Sequence, residues 1–312
     1  MKVVFMGTPE IAVSTLEALT RAHEVVGVIS QPDKPKDRGK KVQFTPVKEK
    51  ALELGLEVYQ PKRIKSEESF ELIQNLNPDI IVVIAYGQIL PARVLDYPKH
   101  GTINIHGSLL PKYRGAAPIQ WAILNGETET GITIMQMDVG MDTGDMILKD
   151  SFPLPAHYTS GDLFEHMAKL APTPLLTALK QIEDGTAIRT PQGDDFTHAP
   201  MLSKEMGHLD WNKTSAELVC TIHGLNPWPG AYAMMGDEVL KIWRAEALSS
   251  PEYANSGEGA GQILSASAKD GIIIKTTDGA LLLLEVQKKG SKKLSGKDFV
   301  NGNPLEVGRF LN

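Results

Sequence analysis

Residues 2–29 read KVVFMGTPEIAVSTLEALTRAHEVVGVI, and this stretch decides the fold. Lys2 to Met6 is an apolar, β-rich run, Gly7-Thr8-Pro9 is a turn, Glu10 to Arg21 places Ile11, Thr15, Leu16 and Leu19 at helical spacing, and Val25 to Ile29 is a second strand. The β-α-β rhythm continues outward. A helix is predicted over Val47 to Leu54, a short strand at Val58-Tyr59, a helix over Ser66 to Leu76 and a wholly apolar strand over Ile80 to Ala85. Thr102 to Ile105 and Gly131 to Met137 are further strands, and Asp162 to Asp184 reads as one helix. Alternating elements of this kind predict an α/β fold: a Rossmann-like, mostly parallel sheet with helices on both faces.

The first turn is GTPE, with one glycine where a dinucleotide fingerprint needs three, so a pyrophosphate lacks its cradle. There is no G-x-x-x-x-G-K-[ST] loop either. Nicotinamide, flavin and ATP are therefore disfavoured.

Between Gly185 and Pro200, Gly, Thr, Pro, Gln and Asp crowd together without apolar periodicity, as in a linker. Beyond it come a helical stretch (Ser215 to Ile222), the run NPWPGA from Asn226, and short β-rich runs at Val239 to Trp243, Gly271 to Thr276 and Ala280 to Val286. Short strands between turn signals suggest a small OB-like β-barrel. The expected division is a catalytic domain over 1–187, a linker over 188–203 and a C-terminal barrel over 204–312.

A chain of 312 residues has room for two cores, and 42% hydrophobic with 22% charged residues is an ordinary globular composition. No apolar run reaches the ~18 residues of a membrane span. The opening apolar run is cut short by Gly7 and Pro9, so it reads as strand and turn rather than signal peptide. One cysteine, Cys220, rules out an intrachain disulfide and a cysteine zinc site, which fits a reducing compartment; the cytoplasm is expected, and a monomer. No histidine shows metal-ligand spacing, so no metal is expected. A net charge of −6 argues against indiscriminate nucleic-acid binding, yet it conceals basic clusters at Lys34 to Lys41 and Lys288 to Lys297. Each is either a solvated loop or a phosphate contact.

The chemistry concentrates where the chain reads INIHGSLLPKYRGAAP from Ile103. In a strand, Asn104 and His106 project from one face. An amide donor and an imidazole together suit a reaction that develops negative charge on a carbonyl oxygen. Asp142, in MDVGMDTGDM, is placed to hold the imidazole's tautomer and favour its charged form. Taken singly, His106 reads equally as a structural histidine and Asn104 as a turn residue. The turn-rich, cation-bearing loop that follows (Ser108, Pro111, Arg114, Gly115) supports a site, since ligands of open α/β sheets bind at loops on the carboxyl ends of strands.

With these residues in view, the chain resembles the methionyl-tRNA formyltransferase family along essentially its whole length. The resemblance rests on FMGTPEIAVSTLEAL (5–19), QPDKPKDRGKK (31–41), IVVIAYGQILP (81–91), INIHGSLLPKYRGAAPIQWAI (103–123), TGITIMQMDVGMDTGDM (130–146) and NPWPGAY (226–232). It implies a catalytic triad of Asn104, His106 and Asp142. It further implies that 10-formyltetrahydrofolate is the co-substrate and initiator methionyl-tRNA the partner. Ser108, Leu109, Leu110 and Pro111 would lie along the folate, with the loops Tyr86, Gly87, Gln88, Ile89, Leu90 and Asp138, Val139, Gly140 around the pterin. Arg38 would enter the tRNA acceptor arm, supported by Lys34, Lys36, Lys40 and Lys41, and the barrel lysines Lys288, Lys289, Lys292 and Lys293 would meet RNA. Asp37 before Arg38 and Trp121 after Gln120 depart from the family pattern. Two alternatives stand beside this reading: a folate-dependent formyltransferase acting on another amine, such as an amino sugar nucleotide, and a non-catalytic RNA-binding protein on the same fold.

Overall fold

The structure, a computed structural model, describes residues 1–36, 41–254 and 257–312. Lys2–Gly7 lies inside a seven-stranded sheet ordered Met146–Pro153, Glu129–Gln136, Thr102–His106, Ile80–Ile84, Lys2–Gly7, Glu24–Ile29 and Val58–Tyr59. From Thr102–His106 to Val58–Tyr59 every pair is parallel. The chain first adds strands on one side of Lys2–Gly7 and then returns to Ile80–Ile84 on the other. That reversal leaves a crevice at the carboxyl ends of the two strands.

The parallel strands are apolar on both faces because both are covered. Val4, Met6, Ile81 and Val83 pack with Ile73, Val94 and Leu95 on one side. Val3, Phe5 and Val82 are equally buried. Helix Val13–Ala22 turns Thr15, Leu16 and Leu19 inward, at the three- and four-residue spacing of one helical face. Thr45 and Ser66 cap Pro46–Glu53 and Glu67–Leu76 by accepting the N–H groups of Lys48 and Ser69.

One sequence expectation differs from the structure. The single helix over Asp162 to Asp184 is two, Ser160–Leu170 and Pro172–Glu183. Pro172 has no N–H to continue the first helix but fits the first turn of the second. The sheet is mostly parallel, as expected; the exception is Glu129–Gln136, which runs antiparallel to Thr102–His106, with Thr133 opposite His106 and Gln136 opposite Ile103.

In the C-terminal part an antiparallel sheet runs Ala231–Met235, Glu238–Leu248, Ala280–Lys288, Gly271–Lys275, Ile263–Ser267, the strand set from which a small barrel is built. Leu240, Ile242, Ile272, Leu281 and Leu283 from these strands, Leu218 and Ile222 from helix Ser215–Gly224, and Phe299 form its core. That helix opens with a reciprocal capping box between Thr214 and Glu217. Two compact units result: Met1–Pro118, Glu129–Phe152 and Phe164–Ala199 form one, and Ile119–Thr128, Pro153–Leu163 and Pro200–Asn312 the other. Among the described residues, no helix is long and apolar enough to cross a membrane.

Gly131 marks a close approach inside the larger sheet. A Cβ there would overlap the carbonyl oxygen of Asp150 on the neighbouring strand and lie 2.6 Å from Leu109 Cδ2. Gly131→Ala is expected to cost about 1–3 kcal/mol, the usual range for overpacking, read from the midpoint of urea unfolding. An unchanged midpoint would mean that the strand pair yields freely.

Candidate functional site

The strand Thr102–His106 carries Thr102, Asn104 and His106 on one face, and Asn104 sits beside Val83 of the neighbouring strand. Thr102 is committed to the fold: its Oγ1 donates to the Leu95 carbonyl at 3.1 Å. His106 is 5% exposed, and its Nε2 lies 2.9 Å from the carbonyl oxygen of Tyr113. A carbonyl only accepts, so Nε2 carries a proton there. Nδ1 is therefore the nitrogen left to act, and it faces Asp142 Oδ2 at 3.7 Å. That separation exceeds a hydrogen bond and leaves the Nδ1 side open to a third group. Sequence reasoning assigned the tautomer to Asp142, but the Tyr113 carbonyl holds it.

Asp142 arrives from an unexpected direction. Because Glu129–Gln136 is antiparallel, its end lies beside Ile103, about 10 Å along the strand from His106. The following loop must turn back along the sheet. Asp138 organises this return: its Oδ1 accepts from Gly140 N at 3.0 Å and from Thr143 Oγ1 at 2.6 Å. The Gln136 N–H donates to the Asp145 carbonyl at 2.8 Å and closes the loop. Asp142 itself has φ +54, and its Oδ2 accepts the Gly115 N–H at 2.8 Å. None of the hydrogen bonds among the described residues uses the Asn104 carboxamide.

The loop after Ile80–Ile84 offers backbone rather than side chains. Tyr86 and Leu90 are buried in the cluster against which Met137 packs, so the two loops share one apolar base. The Tyr86 carbonyl accepts from Thr8 Oγ1 at 3.0 Å and Gln31 Nε2 at 3.1 Å. Gln88 is spent on the Ile64 N–H at 2.9 Å. Gly87, Ile89, Val139 and Gly140 are exposed. Buried Ser108 donates to the Lys112 carbonyl at 2.7 Å, and the N–H of buried Leu110 donates to Thr133 Oγ1 at 3.1 Å; Leu109 and Pro111 are half-buried.

The basic residues fall into two groups. Lys34 and Lys36 belong to strand Lys34–Lys36, which pairs antiparallel with Lys41–Gln43, the strand of Lys41. Arg38 and Lys40 lie outside the described residues. Lys288 is paired with Glu238 at 2.6 Å, and Lys293 lies 3.6 Å from Glu285 and 3.9 Å above the Trp243 ring. Lys289 and Lys292 are exposed. Among the described residues, no three His, Cys, Asp or Glu side chains come together as a metal site.

Of two further residues that touch this constellation, sequence reasoning named Arg114 only as a loop cation and passed over Gln192. Arg114 is buried, and its Nε donates at 2.8 Å to Gln192 Oε1; Gln192 belongs to the segment read as linker. No local signal marks Gln192, since its partners lie far away in the chain.

Residues 1–179 match the family model described as Formyl transferase, and residues 201–304 the one described as Formyl transferase, C-terminal domain. The methionyl-tRNA formyltransferase of Agathobacter rectalis is 46% identical over 313 residues, covering 100% of this chain and 99% of that protein. That of Clostridioides difficile is 45% identical over 313 residues, covering 100% of both. Among solved structures, the sugar 3N-formyl transferase WlaRD, in the presence of dTDP and 5-N-formyl-THF, aligns with TM-score 0.66 at 21% identity over 94% of this chain and 99% of its own. A methionyl-tRNA formyltransferase from Clostridium thermocellum aligns with TM-score 0.56 at 18% identity, over 80% and 94%. At these identities the solved structures speak for the fold.

Burial pushes the Tyr86 phenol up to about 12, and among the described residues its hydroxyl has no hydrogen-bond partner. Tyr86→Phe is expected to leave the unfolding free energy, read from the urea midpoint, unchanged or raise it by about 1 kcal/mol, because a buried unpaired hydroxyl is lost without a partner being orphaned. A clear fall in the midpoint would show that the hydroxyl is satisfied.

Proposed function

The chain belongs to the methionyl-tRNA formyltransferase family, and from that premise we propose that it transfers the formyl group of 10-formyltetrahydrofolate to the α-amino group of initiator methionyl-tRNA, giving N-formylmethionyl-tRNA for translation initiation. The observation that carries this reading is Asp142 Oδ2 standing 3.7 Å from Nδ1 of a buried His106, on the strand that also presents Asn104.

10-Formyltetrahydrofolate supplies the one-carbon unit and leaves as tetrahydrofolate. The residues present fit it: Gln88 and Asp138 are tied into the fold, so the loops 86–90 and 138–140 offer backbone groups to a heterocycle and expose apolar Ile89 and Val139, while Ser108–Pro111 borders the same strand. The attacking amine, with a pKa near ~7.7, is roughly one-sixth neutral at pH 7 and roughly two-thirds neutral at pH 8, so little activation is required of the protein. As the amine nitrogen bonds to the formyl carbon, Asn104 and the Nδ1–H of protonated His106 donate to the oxygen that gains charge. Each such donor is worth on the order of 3 kcal/mol. Asp142 stabilises the charged ring and accepts, through water, the proton the amine loses. The bond from the formyl carbon to the folate nitrogen then breaks, and that nitrogen receives the proton.

On this reading residues 1–187 hold the catalytic domain, 188–203 the linker and 204–312 the tRNA-binding domain. Lys34, Lys36, Arg38, Lys40 and Lys41, with Lys288, Lys289, Lys292 and Lys293, meet tRNA phosphates in a salt-dependent way. The protein works as a monomer in the cytoplasm. The local basic clusters in a chain of net charge −6 support this division of labour.

Incubation with labelled 10-formyltetrahydrofolate, charged initiator tRNA and an amino sugar nucleotide tests the assignment. Label is expected in methionyl-tRNA alone, and label in the sugar instead would overturn it. Asp142→Asn is expected to lower single-turnover formylation on the order of 100-fold or more with folate affinity little changed. Near-normal turnover would remove Asp142 from the mechanism.

A further inference from the structure

Asp142 occupies a left-handed backbone position, φ +54, which non-glycine residues seldom adopt without outside support. Beyond Asp138 and the Gly115 N–H, one side chain reaches the Asp142 backbone itself. Gln192 Nε2 donates to the carbonyl oxygens of Asp142 and Gly144, each at 2.8 Å. Its Oε1 accepts from Arg114 Nε, also at 2.8 Å. Arg114 precedes Gly115, whose N–H holds the Asp142 carboxylate at 2.8 Å. One planar amide thus joins the backbone of the Asp142 loop to the segment that binds the Asp142 side chain.

The same stretch of chain reaches the other side of the imidazole. Thr197 Oγ1 accepts the Tyr113 N–H at 2.8 Å, and the Thr197 carbonyl accepts the Arg114 N–H at 2.8 Å. His198–Ala199 pairs with Arg114–Gly115, and the Arg114 guanidinium lies 4.5 Å from the Phe196 ring centre. Tyr113 is the residue whose carbonyl meets His106 Nε2. Both neighbours of the ring are therefore tied to the Thr190–Ala199 stretch, and Gln192 holds the side that bears the carboxylate.

We propose that Gln192 is a positioning residue for formyl transfer: without touching substrate, its carboxamide sets the distance and direction of Asp142 toward His106. This rests on the roles of Asp142 and His106 given above. Only a glutamine fits the constraint. Glutamate at this position would face two carbonyl oxygens with an acceptor, and asparagine falls one methylene short.

The test uses the full chain with Gln192→Glu, Gln192→Asn, Asp142→Asn and the Gln192→Glu/Asp142→Asn double variant, each checked for an intact thermal transition. Gln192→Glu is expected to lower kcat on the order of 10- to 100-fold, the cost of misplacing a reacting group by about 1 Å, with KM for folate and tRNA nearly unchanged. In the Asp142→Asn background the further loss is expected to shrink to less than about threefold, because the two residues act in series. A loss that appears in KM, or that multiplies in full with Asp142→Asn, would overturn the proposal. Should Gln192→Glu not fold, Gln192→Asn carries the same comparison. The ¹⁵N NMR signals of the His106 ring give a readout independent of substrate. They are expected to move in Gln192→Glu as they do in Asp142→Asn, and an unmoved ring would overturn the proposal even if turnover fell. A wild-type protein that fails to formylate methionyl-tRNA would defeat the functional reading instead, leaving the ring signals to decide on Gln192.

Discussion

The His106 ring is held at Nε2 and faced by a carboxylate at Nδ1, and the rest of the site is arranged around that constraint. A backbone carbonyl takes Nε2 at 2.9 Å, and a carboxylate stands 3.7 Å from Nδ1. The carbonyl partner is fixed in kind: it can only accept, so the proton count at Nε2 is settled whatever happens at Nδ1. All the variable chemistry is thereby directed to one nitrogen, next to one acid and on the strand that carries Asn104. Such preorganisation is what makes donors effective, since dipoles already in place need not reorient as charge develops.

The sheet earns its importance by rigidity rather than by contributing many functional groups. Strands buried on both faces cannot shift without opening the packing on either side. Asn104 and His106 share their strand with Ile103 and Ile105, which are buried against the opposite layer. The loops around them use polar side chains internally, as Asp138 does for Gly140 and Thr143 and Gln88 does for Ile64. What these loops leave on offer is therefore backbone groups whose positions are set by the fold. This is the arrangement expected where a flat, hydrogen-bonding molecule must be placed accurately against a strand.

The C-terminal sheet follows a different logic. Its polar face gathers Lys241 and Lys293 around the Trp243 ring, at 5.2 and 3.9 Å from the ring centre, while Lys288 and Lys293 are partly balanced by Glu238 and Glu285. Cations stacked on an indole and paired with nearby acids are held in place rather than left free in solvent.

Periodicity along the chain was sufficient for the β-α-β order, for the wholly apolar strand Ile80–Ile84 and for the shared face of Asn104 and His106, because these depend on spacings of two and three to four residues that any segment carries within itself. Strands that lack strict alternation escaped it: Met146–Pro153, at the sheet edge, is half-solvated and reads as polar, and Ala231–Met235 merges into the preceding turn. The residues themselves already pointed to Asp142, and motif resemblance added the expectation of folate contacts for the loops 86–90 and 138–140. It did not reveal how Asp142 arrives, since that requires the antiparallel register of Glu129–Gln136, a property of two strands together. Gln192 was invisible for the same reason: its three partners lie 48, 50 and 78 positions away. Composition and local pattern determine which elements form and which faces they bury. Only the packed chain decides which carbonyl meets His106 Nε2 and which amide secures the acid opposite, because those contacts join segments that nothing in the linear order brings together.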